Sequence, residues 1–238
     1  MKKILVLVCA KKNSSEIPNK NLIKFRGKTI VEHSIAQALK LKRKYNIKVI
    51  CSTDSKKIAN LAKKRGALVP FLRPKKLATK NSKEWMVWKH ALLYLKKKEN
   101  YSPDIFLSLS PTAPLRKIND ILKSINIFLK SKKDIIVTVH KSKVNPYFNM
   151  IERKKNGNYS LCKINKTHIF NRQSSPKVFS MNTVAYVAKP SFIKNKNNIF
   201  DGKVGICETN TENSLDLDTM DDLRYLKTFE NDKHHKIN

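Results

Sequence analysis

At 238 residues with 40% hydrophobic residues, the chain can build one α/β domain with a proper core, or one domain and a small appendage. No stretch approaches about 18 apolar residues without a charge, which excludes a membrane-spanning helix. The short apolar run after the N-terminal lysines lacks the length and cleavage site of a secretory signal, so a cytoplasmic location is expected. Fifty Lys and Arg against 18 Asp and Glu give a net charge of +32, but the cations run from Lys2 to Lys236 and form no basic arm or basic-aromatic repeat. They read as a solvated lysine surface that steers anions, with no specific nucleic-acid or membrane partner expected. Cys9, Cys51, Cys162 and Cys207 are scattered without a C-x-x-C pair, as expected for small hydrophobes in a reducing compartment.

The first element is the apolar run Ile4 to Cys9, which reads as a strand buried on both faces of a parallel sheet. A polar loop with Lys11, Lys12, Ser14 and Lys20 follows it, then a helix. Ligands of open α/β sheets bind outside the carboxyl ends of the strands, so this loop is the first candidate site, and its cations and hydroxyls suit a nucleoside triphosphate. Ala10, Ser14, Ile17, Pro18, Lys20 and Asn21 have the spacing of A-R-x-G-S-K-x-I-P-x-K-N. In this the stretch resembles the opening of the acylneuraminate cytidylyltransferases, which activate sialic-acid-like sugars as CMP conjugates. Lys11, Asn13 and Ser15 depart from that pattern, replacing Arg, Gly and Lys.

Thr29 and Glu32 predict a capping box ahead of a helix with apolar positions Ile30, Val31, Ile35, Ala38 and Leu39. A second strand over Lys48–Cys51 and a helix from about Ser55 to Arg65, closed by Gly66, complete a strand–helix–strand–helix pattern. That pattern predicts an α/β fold, a doubly wound and mostly parallel sheet of the Rossmann-like nucleotidyltransferase kind. Ala67 to Pro74 is extended, and its two prolines exclude a central strand. It resembles the family phrase G-A-x-V-P-F-L-R-P, which implies that Arg73 faces the nucleotide.

Trp85, Trp88, Leu92 and Leu95 form the core stripe of the next helix. The strand Asp104–Leu109 runs into Ser110-Pro111-Thr112-Ala113-Pro114-Leu115-Arg116, close to the family phrase P-T-S-P-L-R. Arg116 there either contacts the substrate or ties the loop down. Beyond the strand Ile135–Val139 the pattern changes to short strands and turns. About 144–199 is expected to form a small β-rich insertion that caps the sugar site and contributes to a homodimer, within one domain over 1–230. Asn171-Arg172-Gln173, Pro176 and Asn182 resemble the family's R-Q-x-x-P and x-N-G-x-x-Y phrases. The resemblance implies that Arg172, with Gln173 and Asn182, holds the sugar acid, and the phrase Asn145–Met150 tilts this towards legionaminic-type acids.

In Ser214-Leu215-Asp216-Leu217-Asp218, an extended chain puts both carboxylates on one face and both leucines towards the core. Two adjacent carboxylates want a cation, and beside a phosphate substrate that cation is Mg²⁺. Asp221 and Asp222 read as first-turn charges of the last helix after the cap Thr219. The tail over 231–238, with His234 and His235, is expected to be frayed and is given no role.

Taken together, the resemblance spans nearly the whole chain and implies transfer of CMP from CTP to a nine-carbon 2-keto sugar acid, with release of pyrophosphate. It implies catalytic roles for Lys20, Asp216 and Asp218, nucleotide contacts from Lys11, Ser14, Asn21 and Arg73, and acceptor contacts from Arg116, Arg172, Gln173 and Asn182. A related nucleotidyltransferase for another nucleotide or acid, and a weakened nucleotide-binding homologue, stay open on sequence alone.

Overall fold

In the computed structural model, residues 1–14, 16–165 and 171–230 are described. The 231–238 tail and the departure at Ser15 lie outside them. In chain order the elements are β1 (Lys3–Cys9), β2 (Lys24–Phe25), β3 (Lys28–Thr29), α1 (Ile30–Lys40), β4 (Asn46–Ser52), α2 (Lys56–Lys64), α3 (Glu84–Glu99) and β5 (Ile105–Ser108). Then come α4 (Ile118–Lys130), β6 (Ile135–Lys141), β7 (Ile151–Arg153), β8 (Tyr159–Leu161), β9 (Phe179–Ala188), α5 (Pro190–Asn195), β10 (Val204–Glu208) and α6 (Met220–Thr228).

The main sheet has the order β10-β6-β9-β5-β1-β4. β1 pairs in parallel with β4 and β5, and β6 with β10. β1 is the hinge of the layers: Ile4 to Val8 are all fully buried. Ile4, Val6 and Val8 face a core with α1, α2 and α4, including Val31, Ile35, Ile58, Ile121 and Ile125. Leu5 and Leu7 face the opposite core with Trp85 and Trp88 of α3 and Phe192 of α5. Helices on both faces give the doubly wound arrangement that the β1 composition predicts.

β9 runs antiparallel between β5 and β6. A parallel return needs a crossover helix, and none occurs among the described residues of 142–178, so the chain turns back on β6. This corrects the boundary of the expected insertion. Residues 179–188 belong to the main sheet and α5 packs on α3, with Trp85 and Phe192 rings 5.3 Å apart. What leaves the sheet is 142–178, carrying the separate β7–β8 hairpin, whose connection turns at Gly157 with φ 87°.

Thr29 opens α1 with the expected capping box. Burial acts to raise the Glu32 carboxyl, yet the Thr29 N–H at 2.6 Å, the Thr29 hydroxyl at 2.7 Å and Arg65 Nε at 2.6 Å hold it below its usual range. A depressed folded pKa stabilises the protein above the unfolded pKa and ceases to do so as pH falls through the folded value. Glu32→Gln is therefore expected to cost about 1–2 kcal/mol at neutral pH. The gap to the parent should narrow below about pH 4 in urea titrations; a gap independent of pH would refute the ionic contribution.

Candidate active site

A cleft of about 280 Å³ opens over the carboxyl ends of β1, β4 and β5. Its basic wall is the loop after β1, which the chain pins at several points. Ala10 N–H donates to Ser52 O at 3.0 Å, Lys12 N–H to Asp54 Oδ1 at 2.7 Å, and Asn21 Nδ2 to Lys11 O at 2.8 Å. Asn19 takes a left-handed backbone at φ 53°, which turns the chain into the short helical turn that begins at Lys20. Lys11, Ser14 and Lys20 thereby line the cleft. Arg73, buried against the end of β4, lines it too and donates through Nε to Ser52 Oγ at 3.1 Å.

The acidic wall comes from the far end of the chain. Leu217, Leu226 and Leu115 pack with Ile17, Phe25 and Ile30 in a third apolar cluster. Leu217 is fully buried, and its N–H donates to Thr112 O at 2.8 Å, which docks 215–218 onto the loop after β5. Asp218 lines the cleft and accepts from Lys20 Nζ at 2.7 Å. Ile17 and Leu217 thus carry Lys20 and Asp218 together across 198 residues of sequence.

Asp216 lies behind this pair. Burial raises its carboxyl above the usual range, with the charge of Asp218 adding to the effect against the pull of Thr112, Thr183 and Lys20. Its Oδ1 is buried without a hydrogen-bond partner. An orphaned carboxylate oxygen beside a second, exposed carboxylate fits a divalent cation. Among the described residues no group of three His, Cys, Asp or Glu side chains suits a metal. One or two carboxylates completed by phosphate oxygens and water is, however, the usual Mg²⁺ shell. Asp222 is engaged elsewhere: its Oδ2 caps α6, accepting from Thr219 N–H at 2.7 Å and Asp218 N–H at 3.1 Å.

Six of the residues singled out from sequence therefore share one cleft, namely Lys11, Ser14, Lys20, Asn21, Arg73 and Asp218, with Asp216 next to them. Asn21 is itself buried and acts by holding the loop carbonyl. Four others lie elsewhere. Arg116 is fully buried and ties its own loop down by donating to Ser110 O. Burial lowers its pKa to about 9, opposed by the charge of Asp216, and its complete burial leaves no surface for an acceptor. Asn182 is buried in β9, donating through Nδ2 to Thr209 Oγ1 at 3.0 Å and accepting from Val184 N–H at 3.2 Å. Arg172 and Gln173 line a separate basic groove with Lys141, Lys143 and Lys177 that shares no lining residue with the cleft. Conversely, Thr79, Ser82, Glu84 and Thr112 line the cleft without having been assigned to it from sequence. Thr79 and Thr112 stand in family-like phrases, whereas Glu84 carried no signal beyond its place at a helix start.

A family model described as cytidylyltransferase matches residues 5–234. The chain belongs to the cytidylyltransferase family. It is 30% identical over 234 residues to "Post-translational flagellin modification protein B" of Campylobacter coli, covering 95% of this chain and 94% of that one. It is also 30% identical over 227 residues to "CMP-N,N'-diacetyllegionaminic acid synthase" of Campylobacter jejuni, with the same coverage of each. Among solved structures, a CMP:2-keto-3-deoxy-manno-octonic acid synthetase complexed with CTP superposes with a TM-score of 0.65 at 13% identity, covering 95% of this chain and 98% of that one. At that identity the likeness speaks for the fold alone. The fold of this cytidylyltransferase family member is thus the one its strand and loop pattern predicts, and it is a nucleotidyltransferase.

Proposed function

We propose that this cytidylyltransferase moves CMP from CTP onto a nonulosonic acid, a nine-carbon 2-keto sugar acid of legionaminic type, and releases pyrophosphate. The observation that carries this reading is the 2.7 Å contact of Lys20 with Asp218 inside a cleft that also holds Lys11, Ser14 and Arg73. It joins a phosphate-gripping wall to a cation-holding wall, which is what phosphoryl transfer requires. The near full-length relative named as a CMP-N,N'-diacetyllegionaminic acid synthase supports the acceptor class.

In this mechanism Lys11 and Ser14 hold the triphosphate and Lys20 exchanges Asp218 for phosphate oxygens as substrate arrives. Lys at position 11 keeps the charge of the usual Arg without its two-pronged geometry. Arg73 holds the nucleotide from the β4 side, fixed by Ser52. Asp216 and Asp218 would hold Mg²⁺, which when bound neutralises phosphate charge and acidifies a nearby hydroxyl. Positioning of the sugar hydroxyl in line with the leaving pyrophosphate supplies the rest of the acceleration. Pyrophosphate release across a panel of CTP, UTP, ATP and GTP tests the nucleotide: CTP should dominate, and a preference for another triphosphate would refute the reading.

The proposal extends to a homodimer in the cytoplasm. Ile151 and Tyr159 are exposed on the β7–β8 hairpin, and a lone two-stranded hairpin is marginal by itself. Light scattering should give twice the 27.5 kDa chain mass, and a monomeric mass would refute it. Among the described residues, no helix is long and apolar enough to cross a membrane.

A further inference from the structure

CMP transfer needs a group to take the proton of the attacking hydroxyl. Asp218 is paired with Lys20, and Asp216 beside it has one oxygen buried without a hydrogen-bond partner. We propose that Glu84 is the proton acceptor, an inference that rests on the CMP-transfer reading.

Glu84 stands at the first position of α3 and lines two hollows at once. One is the nucleotide cleft; the other is an adjoining groove of about 250 Å³ walled by Trp85, Trp88, Tyr186 and Asn198. A residue common to both stands at the boundary where a transferred group and an acceptor meet. Its carboxylate is aimed by two donors on one oxygen, Trp88 Nε1 at 3.1 Å and Ser108 Oγ at 3.3 Å, which hold it over the carboxyl end of β5. Burial first, and then the charges of Glu84 and Asp216 together, push the Tyr186 phenol upward, so both acids act on one side chain.

Glu84 takes part in no ion pair among the described residues, although the chain carries 50 Lys and Arg. In the step, the acceptor O–H bond breaks and its proton passes to the Glu84 carboxylate. The oxygen's electron pair forms the new bond to the α-phosphorus. The bond from that phosphorus to the bridging oxygen breaks, and its pair leaves with pyrophosphate.

Glu84→Gln keeps an oxygen for Trp88 and Ser108 and removes the base. Its turnover with CTP and acceptor is expected to fall about 100-fold or more, with CTP affinity by calorimetry unchanged. Glu84→Asp, which retains a carboxylate, is expected to keep at least about tenfold more turnover than Glu84→Gln. Turnover of Glu84→Gln within about threefold of the parent, equal losses in the two variants, or a loss of CTP affinity matching the loss of turnover overturns the role. A parent chain that converts no CTP with any nonulosonic acid refutes the CMP-transfer reading itself, and this inference with it.

Discussion

Asp218→Asn and Asp216→Asn are each expected to lower turnover by about a thousandfold or more while leaving the fold intact. The activity loss follows from removing one of two neighbouring carboxylates, Asp218 lining the cleft and Asp216 behind it. The stability argument differs between the two. Asp218 is 63% exposed at the side chain, and its pair with Lys20 is of the solvent-screened kind worth about 0–1 kcal/mol. Asp216 has a buried oxygen with no hydrogen-bond partner and a carboxyl raised first by burial. Neutralising it removes a charge that burial disfavours, offset by losing its attraction to Lys20 and the buried Arg116, so its melting temperature should change little. Steady-state kinetics beside thermal unfolding separates the cases. If activity and melting temperature fall together, the acidic pair is scaffold and the assignment of a cation site fails.

Lys20→Met is expected to reduce kcat/KM for CTP by about 100- to 1000-fold, through both weaker triphosphate binding and slower transfer. Lys20 is only 12% exposed at the side chain and is held by the turn that begins at Asn19, so the charge is placed before substrate arrives. Among the described residues its ion-pair partner is Asp218 at 2.7 Å, and that contact must give way when phosphate and cation enter together. Isothermal titration with CTP, with and without Mg²⁺, checks this. Unchanged CTP affinity and turnover in the variant would show that Lys20 serves Asp218 alone.

Much of the fold was legible because local chemistry and tertiary packing agree. The unbroken apolar run of β1 can only be satisfied by burial on both faces, and the T-x-x-E pattern at Thr29 can close only one way. Trp85 and Trp88 are core residues, as their helical spacing predicts. The direction of β9 was not legible, since a strand's pattern carries burial but not polarity. Arg116 misled for a related reason. An arginine in a proline-rich loop looks solvent-facing in sequence, and only the fold reveals that the loop closes over it. Asn182 reads as a ligand-facing amide, yet the register shift between Val137 and Val139 opposite β9 accompanies its use as an internal tie. The inward turn of Leu217 was legible because it alternates with Asp216 and Asp218 along the chain. Glu84 was not, because a single acid in the first turn of a helix has an ordinary dipole explanation. Its meaning comes from two hollows that meet there in space.

The central claim is that a nucleotide gripped by the Lys11–Asn21 loop reacts at the Asp216–Asp218 segment with a sugar acid. Mass spectrometry of the products formed from CTP, Mg²⁺ and, in separate reactions, sialic, legionaminic and pseudaminic acids tests it most directly. A CMP conjugate of the legionaminic acid, formed faster than the other two, is the predicted result. Intact CTP in all three reactions, from protein shown to be folded, would contradict it.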